Sequence, residues 1–329
     1  MFLRSETLHR SSSDDLLLFV TTSMRCVVVA VLAVYALIPS VHCETKTAWC
    51  YHQPSCNDSI WPVIAPTYCS GIRQSPINIV STSAKPNSNL TPLTFQNFRS
   101  TSALKRIKNT GSTVKVSFDS SVRISGGDLS EPYDCFEFRL HWGNGSSVPG
   151  SEHTVDGNRY AMELHIVCIK SSHKGNMALA IEDPTGLAVL GFFIEEMSNN
   201  GQPASWHTLT SYLSMIKNNG DSVAMEPGIS LDDLLVGVDR TKYYRYLGSL
   251  TTPTCDEAVV WTVFKDSIKV SKDLIDLFST TVQFSDSSFM INVYRGIQPP
   301  QEVTTQSGSS LTTCYSLGLL ALSLALGRS

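Results

Sequence analysis

The chain has 329 residues, 42% of them hydrophobic and 16% charged, with a formal net charge of −4. That composition supplies one large core or two modest ones and excludes a chain too polar to fold. The slightly acidic balance leaves no basic footprint for a nucleic-acid partner.

Near the N-terminus, Arg25 precedes the apolar run "CVVVAVLAVYALIPS", and small residues with "SVHCETK" follow. A basic residue, a short apolar run and a cleavable stretch predict a secretory signal over residues 1–43. The Ser-rich residues before Met24 fall outside that pattern, which makes Met24 an alternative start. A membrane-anchoring helix is the competing interpretation, disfavoured by the shortness of the run.

Residues 44–307 contain no linker, repeat or charge block. Alternating stretches dominate: "TVKVSF", "CFEFRLHW", "MELHIVCIK", "MALAIE", "LAVLGFFIE" and "VVWTVFK". Turn clusters such as "ISGGD", "GNGSS" and "VDGN" separate them, so one mainly β domain is predicted. The best helical signals are "WHTLTSYLSMI" and "SKDLIDLFS", the second opening on a Ser cap.

At the C-terminus, small residues at Ser307, Gly308 and Ser309 precede a short spacer and the apolar run Tyr315 to Leu326. This layout predicts a GPI-attachment signal over 308–329, with Ser307 carrying the lipid. A membrane span is the runner-up.

Of nine cysteines, Cys26 and Cys43 fall in or beside the signal and Cys314 in the tail. Cys50, Cys56, Cys69, Cys135, Cys168 and Cys255 remain, and sequence alone leaves their pairing open. Sequons at Asn57, Asn89 and Asn144 suit a glycosylated extracellular surface, with Pro92 weakening the second.

Side chains two apart on a strand share a face. In "CFEFRLHWGNG", Glu137, Arg139 and His141 therefore point one way, and Phe138, Leu140 and Trp142 the other. Glu163 and His165 of "YAMELHIVC" likewise share a face. If the two strands are neighbours, two imidazoles and several charged groups converge on one spot. Catalytic zinc takes three protein ligands and leaves a fourth position open to water. A nearby carboxylate fixes an imidazole's tautomer, a role open to Glu163. Two histidines at this spacing alone are more often satisfied core residues.

The motifs "RQSPINI", "LHWG", "GSEHTVDG", "MELHIV" and "GSLTTPTCDEAVVWTVF" occur in that order. Together they resemble the α-class carbonic anhydrases over nearly all of residues 44–307. The layout "WCY…C…YC…RQSPINI", with Cys255 after "TTPT", most resembles the GPI-anchored extracellular branch. The resemblance implies a mainly β (α+β) single domain with a large central, mostly antiparallel twisted sheet and short surface helices. It also implies the disulfides Cys69–Cys255 and Cys50–Cys56. Cys135 and Cys168 stand outside that pattern. Counted from Arg139 and His165, they lie on opposite faces unless a strand bulges, so both are expected to be buried free thiols.

By the same resemblance, His141 and His165 match the second and third zinc ligands, and Arg139 occupies the first. Thr251 matches the residue that accepts a hydrogen bond from the zinc-bound hydroxide, and Glu152 its carboxylate partner. Val167, Val189, Leu250 and Trp261, with Thr252 beside them, match the carbon dioxide pocket. Ser112 replaces the proton-shuttling His, and serine has no group titrating near neutrality. Glu137 replaces a Gln, and Arg with Glu at these two positions resembles the non-catalytic carbonic anhydrase-related proteins.

Arginine offers donors and no lone pair, so it cannot ligate zinc. Left about 4 Å from a divalent ion, it would repel that ion by about 8 kcal/mol at an effective dielectric of about 20. The expected arrangement has Arg139 in the vacated position, neutralised by Glu137 or Glu152. The alternative swings Arg139 outward and holds zinc on His141, His165 and Glu137. The corresponding functions are a cell-surface binding or adhesion module with lost or strongly reduced carbon dioxide hydration, and a slow zinc-dependent carbonic anhydrase. The first implies weak or absent zinc and an extracellular protein partner; the second implies carbon dioxide and bicarbonate.

Overall fold

Alternating and continuously apolar runs give this chain more strand than helix. The computed structural model describes residues 49–307 and joins thirteen strands in one mixed sheet. Its path runs Ser222–Ala224, Leu104–Asn109, Val114–Phe118, Tyr133–Trp142, Met162–Lys170, Leu187–Met197, Val259–Phe264, Tyr243–Gly248, Thr304–Gln306 and Lys85–Asn87. Most neighbours are antiparallel. Leu187–Met197 pairs parallel with Val259–Phe264 and Ile268–Ser271, and Thr304–Gln306 pairs parallel with Lys85–Asn87. The mainly β architecture with short helices is the one expected from sequence.

The two faces of the central strands bury different things. Leu140, Leu164, Ile166 and Leu190 enter the larger core, which Trp206, Leu209, Leu274 and Phe278 of the helical segments complete. Val167, Val189, Phe193 and Trp261 enter a smaller apolar cluster on the other face. The histidines lie on this second face, in step with Val167.

One irregularity overturns the expectation for Cys135 and Cys168. Between Val167 and Cys168 the register with the Tyr133–Trp142 strand shifts: Val167 faces Glu137, yet Cys168 faces Cys135. Phe136 is the extra residue of a β-bulge, and it flips Cys135 onto the face that carries Phe138 and Leu140. Parity counted across a bulge gives the wrong face, and the two cysteines are disulfide-bonded. Cys50–Cys56 and Cys69–Cys255 are bonded as well.

Two local expectations also change. "MALAIE" forms the helix Met177–Glu182, not a strand, because the Asn176 side chain caps the backbone N–H groups of Ala178 and Leu179. Ser271 precedes the helix Lys272–Thr281 without capping it; its hydroxyl accepts the backbone N–H of Gln202 instead. "WHTLTSYLSMI" divides into the helix Ala204–Ser211 and a 3-10 turn over Leu213–Ile216.

Asn89 and Asn144 are exposed and Asn57 is half-buried. The expected signal over residues 1–43 and the tail over 308–329 lie outside the described residues. Among the described residues, no helix is long and apolar enough to cross a membrane.

Digestion of unreduced protein should release the Cys135 peptide joined to the Cys168 peptide, and replacing both by alanine should lower stability by about 2–4 kcal/mol. Recovery of both residues as alkylated thiols from folded protein would contradict the bond.

Candidate functional site

The strand Met162–Lys170 lies between Tyr133–Trp142 and Leu187–Met197, antiparallel to both. In the first pairing His165 stands directly opposite Arg139, and Glu163 opposite His141. Opposite residues of an antiparallel pair hold their Cβ atoms about 5 Å apart. Strand pairing alone therefore brings together residues separated by more than twenty positions in sequence. His141 and His165 are almost fully buried, with ring centroids 4.6 Å apart.

Each imidazole is fixed by one nitrogen. Nδ1 of His141 donates to the Val293 carbonyl at 3.0 Å, which leaves Nε2 buried with no hydrogen-bond partner. Nε2 of His165 lies 2.8 Å from Glu163 Oε1, and its Nδ1 faces Glu152 Oε2 at 3.8 Å. Burial lowers both imidazoles; for His141 the value falls to about 4, with the Arg139 charge adding to the effect. Both rings are therefore neutral near pH 7, each with one free lone pair.

Glu163 serves a second imidazole. Its Oε1 accepts from Nδ1 of His153 at 2.7 Å, and its Oε2 from the His153 backbone N–H at 2.8 Å. Nε2 of His153 meets the Tyr246 hydroxyl at 2.6 Å, and that hydroxyl donates to Ser75 at 2.8 Å. Burial pushes the Glu163 carboxyl upward, but His153 and His165 hold it well below the usual range. Gly191, opposite His165, keeps this space open: a Cβ there would come within 3.1 Å of Glu163 Oε1. The position of Glu163 beside His165 was legible in the alternation of one strand. His153 and Tyr246 were not singled out; the one signal for His153 was its place inside "GSEHTVDG", and Tyr246 lies two residues before the quoted "GSLTTPTCDEAVVWTVF".

Glu152 is fully buried and accepts the Arg295 backbone N–H at 2.8 Å. Burial raises its carboxyl to about 6, opposed by His165, the Thr251 hydroxyl and that N–H. Its Oε2 has no hydrogen bond of good geometry.

Arg139 is only partly withdrawn from solvent, and its Nε donates to Glu137 Oε1 at 2.6 Å. Lys115, opposite Arg139 on the next strand, binds the other carboxylate oxygen of Glu137 at 2.9 Å. Glu137 is thus held by two cations. It neutralises Arg139, as one of the two expected carboxylates, and stands outside the metal-capable cluster. The groups whose ligand atoms lie within 4.8 Å of one another are His141, Glu152 and His165, and His153, Glu163 and His165; Glu137, the expected substitute, belongs to neither.

Arg139, His141 and His165 line a cavity of about 260 Å³. Arg139, His141 and His165 face Ser112, Thr251, Thr252, Val167, Val189, Leu250 and Trp261 across it, and Tyr51 joins from the N-terminal segment. Trp261 packs edge-on against His165 at 4.8 Å. The structure gathers every expected pocket residue here, together with Tyr51, Met177 and Ile181, which sequence reasoning missed.

The residues present do not fit a zinc ion held by three imidazoles. His141 Nε2 and His165 Nδ1 are free to ligate, but the third position holds a guanidinium without a lone pair. Glu152, the carboxylate within reach, already accepts the Arg295 backbone N–H through Oε1.

The profile of the eukaryotic-type carbonic anhydrases matches residues 56–306. Carbonic anhydrase 12 of Homo sapiens is 37% identical over 290 residues, an alignment that covers 84% of this chain and 79% of that protein. Carbonic anhydrase 4 of Oryctolagus cuniculus is 36% identical over 283 residues, 84% of this chain and 88% of its own. Carbonic anhydrase 6 of Bos taurus is 34% identical over 260 residues, 79% and 80% respectively.

Glu163→Ala should destabilise the fold by about 3–5 kcal/mol in urea titration, because two buried imidazoles lose their shared acceptor. A change below about 1 kcal/mol would show that the network does not support the site.

Proposed function

Because the chain belongs to the eukaryotic-type carbonic anhydrase family, we propose that it is a cell-surface member whose hydration of carbon dioxide is lost or strongly reduced. The family is generally zinc-dependent and acts on carbon dioxide and bicarbonate. The observation that carries the proposal is the placement of Arg139, directly opposite His165 and paired with Glu137. A zinc site there lacks its third imidazole and carries a permanent positive charge beside it. Ser112 on the cavity wall removes the proton relay, since a hydroxyl does not titrate near neutrality.

The chain then acts as a binding or adhesion module, through the rim of its former active site, for an extracellular protein. Met177 of the helix Met177–Glu182 is an exposed apolar side chain on the cavity wall, and Leu179 of the same helix is exposed as well, an arrangement that suits a docking role. Three disulfides among the described residues favour an oxidising compartment. The order of segments at the two ends supports a secreted domain, 44–307, held by a GPI anchor at Ser307 and glycosylated at Asn57, Asn89 and Asn144.

A second reading is favoured by one observation, the two free imidazole lone pairs with Glu152 in reach. In that case zinc sits on His141, His165 and Glu152, and the chain hydrates carbon dioxide slowly.

The double variant Arg139→His with Glu137→Gln separates the two. It should raise zinc affinity by more than about 100-fold, beyond the loss typical of an outer partner. Hydration should return only in part, because Ser112 is unchanged. Equal zinc uptake by wild type and variant, with equal hydration, would refute the proposal and support the second reading.

A further inference from the structure

A second cavity, of about 540 Å³, shares no lining residue with the histidine cavity. It opens on the other side of the Tyr243–Gly248 strand. Tyr244 and Tyr246 belong to the apolar cluster beneath the histidines, so Arg245 between them points to the opposite face. Arg245 is only 7% exposed. Its Nε donates to Thr262 at 3.2 Å and its Nη1 to the Gly127 carbonyl at 2.8 Å, while Nη2 is buried with no partner among the described residues.

Neither acceptor carries a charge. A buried guanidinium with an unmade hydrogen bond and no contacting carboxylate is costly in a folded protein. Arg73 lines the same cavity; its Nη2 is spent on the carbonyls of Pro184 and Glu257, and its Nε lacks a partner. Three carboxylates stand on the opposing side of the balance: Glu257, whose Oε1 accepts the Arg73 backbone N–H at 2.6 Å, and two that line the cavity. Asp128 at the rim is exposed, and Glu302 is paired with Lys85 at 3.2 Å. Leu247 and Val260 give the cavity an apolar wall, which strengthens any charge pairing beside it.

We propose that this cavity is an anion site that takes a small carboxylate-type oxyanion, bicarbonate or an organic carboxylate, on Nη2 of Arg245 with Arg73 flanking it. The planar guanidinium matches a planar two-oxygen acceptor, and an anion there satisfies the unmade bond and the uncompensated charge together. The site shares no lining residue with the histidine cavity, although Tyr246 on its wall is hydrogen-bonded to His153.

Thermal unfolding of the purified protein, in sodium bicarbonate or sodium acetate against sodium chloride at matched ionic strength and pH, tests this directly. The oxyanion should raise Tm saturably beyond chloride, and Arg245→Gln should abolish the difference. Stabilisation by both salts identifies a general carboxylate site; stabilisation by bicarbonate alone identifies a bicarbonate site. An equal effect of chloride, or an undiminished shift in Arg245→Gln, overturns the proposal. Should Arg245→Gln fail to fold, Asp128→Asn decides: loss of the rim carboxylate should tighten oxyanion binding by about two- to fivefold, and unchanged binding overturns the site.

Discussion

The antiparallel register between Tyr133–Trp142 and Met162–Lys170 places His165 against Arg139, His141 against Glu163 and Cys168 against Cys135. Side chains on a strand alternate strictly, so a slip of one residue would send the histidines into the larger core and Leu140 and Leu164 into the cavity. Register is therefore enforced by burial on both faces. The bulge at Phe136 and the Cys135–Cys168 bond add a covalent tie one turn of the pleat below the site. What the cavity can do chemically follows from which side chains this pairing presents.

At the position opposite His165 it presents a permanent cation. A guanidinium is tolerated there because Glu137, almost fully buried, is shared between Arg139 and Lys115. Two cations around one carboxylate leave a positive balance at this wall, which also disfavours a divalent ion nearby. The remaining polar network needs no ion to be satisfied: Glu163 joins His153 and His165, and Tyr246 carries the chain of bonds to Ser75. Two buried atoms without a hydrogen-bond partner, His141 Nε2 and Glu152 Oε2, sit in one of the metal-capable clusters. Scaffold and buried network match the family, while Arg139 stands where the resemblance expects an imidazole, so family membership by itself does not carry activity over to this chain.

Much of this was legible in the sequence because the decisive signals were periodic or lay in contiguous motifs. Alternation in "CFEFRLHW" and "MELHIVCIK" gave strands and the shared face of Glu137, Arg139 and His141. The same alternation failed at Cys135, because a bulge leaves no composition signature and reverses parity beyond it. "MALAIE" alternates like a strand, yet the Asn176 cap turns it into a helix. The roles of His153, Tyr246, Arg295 and Lys115 were hidden for another reason: each is set by a partner far away in sequence, and single-chain periodicity carries no such information. The closeness of Glu152 to His141 and His165 is of the same kind, since it depends on how a loop folds over the sheet.

The central claim is that Arg139 leaves the histidine cavity without a tightly held zinc ion. Metal analysis of the wild-type protein, purified through its own secretory route and dialysed without chelator, tests it most directly. The account predicts zinc far below one ion per chain. Zinc at one per chain, retained through dialysis, would contradict it.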